Sequence, residues 1–254
     1  MFNPPQPTRE ERRREMWRQA RSRWDIEVVD YFNKQIGKQY NHCRFRNYKP
    51  VHESQKKAFD SVWKFLHSPP PPWCILLTGG AGTGKTHLLA SAWWSWNRSL
   101  FSQKLKKDRY KFFQEREIPR YGYYWEFYQG LYWWNEADAE LYWRKAHAKH
   151  HDGRYRGENL PTPAEFIDEL MHVSPLFLDD FGMTSPTASA WHSAMNVVLC
   201  ERHKTNRKTF ISTNLSSKEI GELYGTHGER IVSRLSQGVC VKIEGPDGRL
   251  SGGW

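Results

Sequence analysis

Cysteines are few in this sequence and lie far apart. The four residues Cys43, Cys74, Cys200 and Cys240 include no C-x-x-C pair. The spacing therefore indicates neither a zinc site nor a disulfide framework. We expect reduced thiols, most of them buried.

Long apolar runs are also missing from the 254 residues. No run approaches the roughly 18 consecutive apolar residues that a transmembrane helix needs, and the arginine-rich start lacks the apolar segment of a signal peptide. We therefore expect a soluble, cytoplasmic protein that makes no membrane contact. The length suits one large α/β domain, or a domain of ordinary size with an attached segment.

Positive charge is present in excess but is unevenly distributed, with a net charge of +10. Residues 1–50 carry 12 Lys and Arg against 6 Asp and Glu, and residues 98–157 carry 13 against 8. The rest of the chain is therefore close to neutral. Solvated charge that only keeps the protein in solution is one explanation, but the segregation favours contact with a polyanion.

A glycine-rich stretch between two apolar segments is the main feature of the sequence. Residues 79–86, GGAGTGKT, match G-x-x-x-x-G-K-[ST] at every specified position. Residues 73–78 predict a short buried strand and residues 85–96 predict a helix, which is the strand, loop and helix order of a phosphate-binding loop. Because the glycines fall at 80, 82 and 84 and lysine occupies 85, the pattern excludes a dinucleotide-binding G-x-G-x-x-G.

The residue types of this loop suit a nucleoside triphosphate. Glycines allow the backbone N–H groups to turn toward phosphate oxygens at the positive end of a helix. Lys85 would hold the β- and γ-phosphates, and the Thr86 hydroxyl would ligate Mg²⁺. We therefore predict ATP and Mg²⁺ as cofactors. The predicted nucleotide-binding residues of the loop are Gly79, Gly80, Ala81, Gly82, Thr83, Gly84, Lys85, Thr86 and His87.

Polar residues also end two apolar strands further along the chain. The run 176–178 predicts a strand that ends at Asp179 and Asp180, and 209–213 predicts one that ends at Asn214. An Asp-Asp pair after a strand often only caps the next helix, but its place downstream of a phosphate loop favours a catalytic role. Asp179 would then bind Mg²⁺, and Asp180 would polarise the attacking water. Asn214 would lie between the loop and Asp180.

The remaining segments predict helices and connections around this site. Thr8-x-x-Glu11 is a capping-box pattern and predicts a basic helix to about residue 36. An apolar stripe of Phe59, Val62, Trp63 and Leu66 predicts an amphipathic helix over 51–67. Further predictions are a second strand at 122–125, a helix at 126–148, a polar loop at 147–157, and helices at 162–171, 191–202, 217–225 and 228–236, with a last strand at 239–244.

Several blocks of the sequence, in this order, resemble one family. They are Phe45-Arg46-Asn47-Tyr48 with Gln55, GGAGTGKTHLLAS, LFLDDFG, TFISTNLSSKEI, GERIVSRL and GPDGR. Over residues 43–249, about four fifths of the chain, they resemble the AAA+ ATPases of the DnaC/DnaI helicase-loader and IstB group. The resemblance implies an α/β P-loop domain over 43–250, with a parallel sheet flanked by helices. A basic helical segment, 1–42, would precede it, residues 98–157 would hold an aromatic-rich helical insertion, and 251–254 would be a tail.

The resemblance also implies roles for single residues. Lys85 and Thr86 take the Walker A positions, and Asp179 and Asp180 take the Walker B positions. Asn214 takes the sensor-1 position. Arg234 occupies the position of an arginine finger that reaches the γ-phosphate of a neighbouring subunit, and Arg230, one helical turn earlier, could substitute for it. Arg249 matches a second arginine near the nucleotide.

Three departures from the family pattern stand out. Asp180 replaces the usual glutamate, and a shorter acid predicts slow hydrolysis. The first 42 residues contain no cysteine, so a DnaI-like zinc module is not indicated. The middle region is richer in tryptophan than the family pattern, and its tryptophans would either stack on bases of single-stranded DNA or pack an enlarged insertion; they are Trp125, Trp133, Trp134 and Trp143.

A cluster of histidines follows in the predicted polar loop. The spacing of His147, His150 and His151 would allow a metal site, although the favoured interpretation is that these histidines are ordinary polar residues of a loop.

These features together predict an AAA+ ATPase that binds single-stranded DNA, assembles as a homo-oligomer in ATP and loads a replicative helicase. A helper ATPase of a transposase shares the same core motifs and is an alternative. A small-molecule P-loop kinase is less favoured because no acceptor pocket or lid is evident. A nucleotide-gated adaptor with little turnover is compatible with Asp180.

Overall fold

The short apolar runs of the sequence form a parallel β-sheet in the structure, a computed structural model that describes residues 8–107, 132–152, 155 and 160–248. The five strands lie in the order β2-β3-β4-β1-β5, and all pairs are parallel. Parallel strands end at the same edge of a sheet, so the residues that follow them come together there. The strands are β1 (Cys74–Thr78), β2 (Tyr132–Asn135), β3 (Leu176–Asp179), β4 (Thr209–Thr213) and β5 (Val239–Lys242).

Contacts divide the chain into two units, residues 1–42 and 43–254. The first contains helix α1 (Arg9–Gln35) and a short 3-10 helix, Lys38–Tyr40. The Thr8 hydroxyl accepts the Glu11 N–H at 3.2 Å, and the Glu11 carboxylate accepts the Thr8 N–H at 2.7 Å. This is the reciprocal capping box that the sequence predicts, and it starts α1 at the expected residue.

Helices connect the strands of the second unit. They are α2 (Glu53–His67), α3 (Lys85–Lys107), α4 (Glu136–Asp152), α5 (Pro163–His172), α6 (Ser189–Lys204), α7 (Ser217–Leu223) and α8 (Gly228–Leu235), with 3-10 helices at Phe45–Asn47 and Gly225–His227. The predicted parallel sheet with flanking helices is confirmed. No helix in the described part of the chain is long and apolar enough to span a bilayer.

Aromatic rings fill the core around the central strands. The Phe177 ring of β3 stacks on Phe210 of β4 at a centroid distance of 4.6 Å, and on Trp133 of β2 at 5.7 Å. Residues of β3 and β4 are buried along their whole length, because helices cover both faces of the sheet. These buried strands therefore fix the positions of the residues at the carboxyl edge of the sheet.

The middle of the chain differs from the sequence prediction. The helix predicted over 126–148 is wrong for Tyr132–Asn135, which forms the edge strand β2 and pairs with β3. Trp133 is buried, and Trp134 packs on Tyr142 and Phe166. Tyr and Trp favour strands, and a run of four residues is too short to show its period. Among the tryptophans considered for base stacking, Trp133 and Trp134 are thus packing residues.

Other predictions for this region have mixed outcomes. The polar loop predicted from 147 is wrong, because α4 continues to Asp152. His147 and His151 are one helical turn apart on α4, and Trp143 packs on the His147 ring at 4.2 Å. The strand predicted at 122–125 and Trp125 lie outside the described residues. On α2, Trp63 was expected in the buried stripe but is 46% exposed.

Candidate nucleotide-binding site

The phosphate-binding loop connects β1 to α3 at the carboxyl edge of the sheet. Gly79, Gly82 and Gly84 have φ angles of 143°, 68° and 97°, a region that side chains disfavour. A Cβ atom on Gly79 would lie 2.1 Å from the carbonyl oxygen of Ile243, and one on Gly82 would lie 1.7 Å from an Asp247 carboxylate oxygen. The loop therefore requires glycine both for its backbone conformation and for its close packing.

Lys85 lies across this loop. Its ammonium group donates hydrogen bonds to the carbonyl oxygens of Gly79 and Gly80, both at 2.7 Å, and the residue is only 5% exposed. The carbonyls hold the charged end of the side chain over the loop backbone at the start of α3, where backbone N–H groups and the helix dipole favour an anion. This arrangement suits phosphate binding.

Asp179 at the end of β3 lies beside the first turn of α3. The Thr86 hydroxyl donates to Asp179 Oδ1 at 3.3 Å, and the Ser212 hydroxyl of β4 donates to the same oxygen. Burial raises the pKa of the Asp179 carboxyl to about 6, and the negative charge of Asp180 adds to the rise. The hydrogen bonds from Ser212 and Thr86 stabilise the carboxylate and oppose this shift. A buried carboxylate with an adjacent hydroxyl is an oxygen-rich position.

Mg²⁺ fits this pair of residues. The ion prefers oxygen ligands, and proteins usually supply one or two carboxylates while phosphates and water complete the shell. Thr86 and Asp179 would hold it, and when bound it would neutralise charge between the phosphates and Asp179. In the described residues, no group of three or more His, Cys, Asp or Glu side chains could hold a metal ion by itself.

Asp180 is held by two contacts to neighbouring strands. Asn135 Nδ2, at the end of β2, donates to Asp180 Oδ2 at 3.1 Å, and the Asp180 N–H donates to the Ser212 hydroxyl at 3.1 Å. The φ angle of Asp180 is 51°, a left-handed conformation that turns the chain at the strand end. Asn135 was not among the predicted site residues, because the second strand was predicted at 122–125. Ser212 was also missed, although a hydroxyl inside a buried strand was a visible signal.

Asn214 directly follows β4, which lies between β1 and β3 in the sheet. This places it at the carboxyl edge between the loop and Asp180, as predicted. Asn214 is exposed, and its side chain makes no hydrogen bond within the described part of the chain. A polar side chain here is available to a ligand that lies across the edge.

Residues upstream of the sheet fasten the loop. His87 Nε2 lies 3.2 Å from Asn47 Oδ1 and 3.3 Å from the Arg44 carbonyl oxygen; both are acceptors, so we assign the proton to Nε2. The Gln55 side chain of α2 donates to the Thr83 carbonyl at 3.3 Å. The His87 side chain is thus used in packing against the 3-10 helix Phe45–Asn47.

The chain after β5 contacts the loop from the other side. The Gly248 N–H donates to the Gly82 carbonyl at 3.0 Å, and the Asp247 side chain lies against Gly82. Arg249 lies outside the described residues. The position of Gly248 nevertheless brings the chain that precedes Arg249 to the loop.

Arg230 and Arg234 lie on α8, away from this site. Trp73, directly before β1, donates from its indole N–H to the Arg234 carbonyl at 3.3 Å. The loop follows the other end of this five-residue strand, about 16 Å further at the usual rise of a strand. Arg234 Nη1 donates to the Arg230 carbonyl at 3.1 Å, and Arg230 lines a cavity with Met171 and His172, just before β3. The structure therefore does not bring either arginine to the loop of its own chain.

A buried carboxylate lies next to the site and was not anticipated. Glu136, the first residue of α4, is fully buried and accepts the Gly182 N–H at 2.5 Å, the Trp191 indole N–H at 3.1 Å and the Tyr224 hydroxyl. Burial raises the pKa of its carboxyl to about 7, nearby Glu140 adds to the rise, and the hydrogen bonds oppose it. Its hydrogen bonds link Gly182, in the loop after Asp180, to Trp191 of α6 and to Tyr224, which directly follows α7.

Comparison with known proteins supports the fold assignment. No protein-family model matches the sequence, and comparison with curated protein sequences finds no match. The structure is similar to the crystal structure of the DnaC helicase loader, with a TM-score of 0.54 and 20% identity, over 82% of this chain and 99% of that one. It is also similar to DnaI (0.50, 17%, over 82% and 92%) and to the replication initiator DnaA bound to AMPPCP and single-stranded DNA (0.51, 19%). The last match covers 80% of this chain but half of the DnaA chain.

Proposed function

We propose that the protein is a Mg²⁺-dependent ATPase that binds single-stranded DNA, assembles with further copies of itself in ATP and loads a replicative helicase. One observation carries the ATPase part of this proposal. The partly buried Thr86–Asp179 contact lies directly beside the phosphate-binding loop, so the two residues proposed to bind the metal and the loop proposed to bind the triphosphate share one edge of the sheet. Asp180 and Asn214 follow adjacent strands at the same edge and would face the terminal phosphate.

Each residue of this edge has a role in the proposed hydrolysis. Lys85 binds the β- and γ-phosphates, and the loop N–H groups bind the oxygens around them. Asp180 accepts the proton of the attacking water, and Asn135 orients the Asp180 carboxylate through its hydrogen bond. Because aspartate is one methylene shorter than glutamate, we expect slow turnover.

The position of the two arginines supports the proposed assembly. Phosphoryl transfer by such enzymes uses an arginine to stabilise charge on the transferring group, and a second molecule can supply it. Since Arg234 lies at the opposite edge from the loop of its own chain, it would serve the site of a neighbouring copy. ATP would then strengthen the contact between subunits, and hydrolysis would weaken it.

Helicase loading is favoured by the extent of the structural similarity. The alignment covers nearly all of the DnaC helicase loader and most of DnaI. The basic character of the chain and the DNA-bound DnaA structure support contact with single-stranded DNA. A low-turnover adaptor is a second candidate, and Asp180 is the observation that favours it; an Asp180→Asn variant with the turnover of the wild-type protein would select it.

The partner decides between helicase loading and help to a transposase. The protein would be purified with ATP from its native source and then tested with the co-purified helicase for transfer of that helicase to single-stranded DNA. We expect ATP-dependent transfer that a Lys85→Ala variant does not support. Stimulation of strand transfer on duplex DNA, without any helicase contact, would contradict loading.

A further inference from the structure

Trp63 is an exposed tryptophan on the outer face of α2. It is 46% exposed, although its spacing in the sequence places it with the apolar stripe. Its ring packs on two other rings, with centroid distances of 5.1 Å to Phe45 and 4.3 Å to His67. The packing holds the indole in place while nearly half of the residue stays exposed to solvent.

Three arginines lie close to one another near this tryptophan's neighbour Phe45: Arg44 and Arg46 flank Phe45, which packs on Trp63, and Arg98 lies close enough to Arg44 to act on its charge. The Arg44 guanidinium lies 3.9 Å from the centroid of the Trp94 ring of α3, a cation–π contact. Burial, the charge of Arg98 and that of Arg46 all lower the pKa of Arg44, to about 10. Arg46 and Arg98 are exposed, and Arg46 makes no ion pair within the residues that the structure describes.

The 3-10 helix Phe45–Asn47 joins these groups into one surface. Phe45 packs on Phe59 and Trp63 of α2, whereas Arg44, just before it, packs on Trp94 of α3. The exposed Arg46 directly follows Phe45 in this 3-10 helix and lies close enough to Arg44 to act on its charge. We call this surface, formed by Arg44, Arg46, Trp63 and Arg98, the basic–aromatic strip. Arg44 and Arg46 belong to the first basic segment of the sequence, 1–50, and Arg98 is the first residue of the second, 98–157.

We propose that the basic–aromatic strip binds single-stranded DNA, with a base stacked on Trp63 and backbone phosphates on Arg46 and Arg98. The proposal rests on the DNA contact of the proposed function and assigns a surface to it. Proteins that bind single-stranded DNA without sequence preference combine cationic side chains, which follow the backbone phosphates, with aromatic rings on which bases stack. A duplex would not offer a free base face to Trp63, so the strip fits a single strand.

The strip is also connected to the nucleotide-binding loop. The segment that carries Arg44 and Arg46 accepts hydrogen bonds from His87, two residues after Lys85. Helix α2, which carries Trp63, is bonded to the loop through Gln55 and Thr83. DNA on the strip would therefore act on segments that touch the loop directly, and this predicts DNA-stimulated turnover.

The experiment measures binding of fluorescent oligo(dT) to the full chain over a range of salt concentrations. Variants are Trp63→Ala, Trp63→Phe and the double variant Arg46→Ala/Arg98→Ala. The matched control is Lys204→Ala/Lys218→Ala, because these exposed lysines lie on α6 and α7 and pair with glutamates. ATP binding and thermal unfolding of each variant verify that it is folded.

We expect the two types of variant to differ in their salt dependence. The double arginine variant should lose affinity and reduce the slope of log K against log salt by about 0.7 for each phosphate contact removed. Trp63→Ala should weaken binding about five- to a hundredfold with the slope unchanged, and Trp63→Phe should retain most of the affinity. DNA stimulation of turnover should fall in both types, while basal turnover and the lysine control stay as in the wild-type protein.

Three results would overturn the proposal, and they are distinguishable. If wild-type protein binds oligo(dT) but the strip variants bind it equally well, the strip is not the binding surface, and DNA binding as such remains. If the strip variants keep DNA binding but no longer bind the helicase, the surface binds protein instead of DNA. No binding of oligo(dT) by the wild-type protein would contradict the DNA contact of the proposed function.

Discussion

The side-chain amide of Asn135 donates a hydrogen bond to the Asp180 carboxylate over 3.1 Å. This contact joins the edge strand β2 to the residue that we propose as the catalytic base, and it restricts the direction in which that carboxylate points. We predict that Asn135→Ala lowers ATP turnover about tenfold, a part of the 10²–10⁴ that a positioned base contributes. ATP affinity should not change. Steady-state ATPase rates and nucleotide titration check both statements.

The matched control for this prediction is Asn196→Ala, which removes an amide from α6, away from the carboxyl edge. It should leave the rate as in the wild-type protein. A rate that is unaffected by Asn135→Ala would contradict the orienting role of Asn135.

Two glycines of the loop offer a direct comparison. Gly82 has a φ of 68° and its Cβ would collide with Asp247, whereas a Cβ on Gly80 would meet nothing within 4 Å. Gly82→Ala should lower the free energy of unfolding by at least about 1 kcal/mol, and Gly80→Ala by less than about 0.5 kcal/mol. Urea denaturation of both variants measures the difference. Adding Asp247→Ala to Gly82→Ala should recover the part due to collision, and equal destabilisation by both glycine variants would contradict the loop geometry.

Arg234 should act only on a second copy of the protein. We predict that Arg234→Ala binds ATP normally but loses turnover, because the arginine lies at the far edge of the sheet from its own loop. Mixing it with Lys85→Ala, which keeps Arg234 but cannot bind ATP, should restore activity. Rates are measured over a range of mixing ratios. If the mixture recovers no turnover, Arg234 does not act on the site of a second copy. The same assay with Arg230→Ala shows whether Arg230 contributes to turnover.

Glu136 predicts a specific pH dependence of stability. Its carboxyl has a pKa of about 7, above its usual value of 4.5, so the folded protein binds one more proton than the unfolded chain between these values. Its contribution to the free energy of unfolding is therefore largest at low pH and decreases as the pH rises through 7, by at most about 3 kcal/mol. Glu136→Gln removes this titration.

The test is urea denaturation of wild-type protein and of Glu136→Gln at several pH values between 5 and 8. The difference in unfolding free energy should shift in favour of the variant as the pH rises. A difference that stays constant with pH would show that the carboxyl has the same pKa in the folded and unfolded chain. Tyr224→Phe, which removes one hydrogen bond to Glu136 but retains the carboxyl, should keep a pH dependence.

The phosphate-binding loop and the strands beside it were predictable because their signals are local. The glycines and the lysine of the loop lie within residues 79–85, and each of β1, β3 and β4 is indicated by its own short apolar run. The capping residues Thr8 and Thr162 likewise set helix starts through contacts only three residues away. These elements could be predicted because the pattern that identifies each of them lies within a short window of sequence.

The features that the sequence did not reveal depend on distant pairings. β2 is a strand because it lies beside β3, and its four residues carry no clear period of their own. Asn135 faces Asp180 only as a result of that pairing. Glu136 has the sequence pattern of an ordinary first-turn acid, and its burial is completed by Tyr224, 88 residues further along the chain. No short window of sequence contains both members of these pairs.

The contacts that fasten the nucleotide-binding loop also set an order for its formation during synthesis. The Ser54 hydroxyl donates to the Glu244 carbonyl and accepts the Glu244 N–H, across 190 residues of sequence, and Gly248 bonds to Gly82. At about 5–20 residues per second, roughly 10–30 s separate the synthesis of Lys85 from that of Gly248. During that interval the nascent chain carries the complete glycine motif without its downstream support. Retention of ATP should therefore begin only when the last strand and turn have left the ribosome.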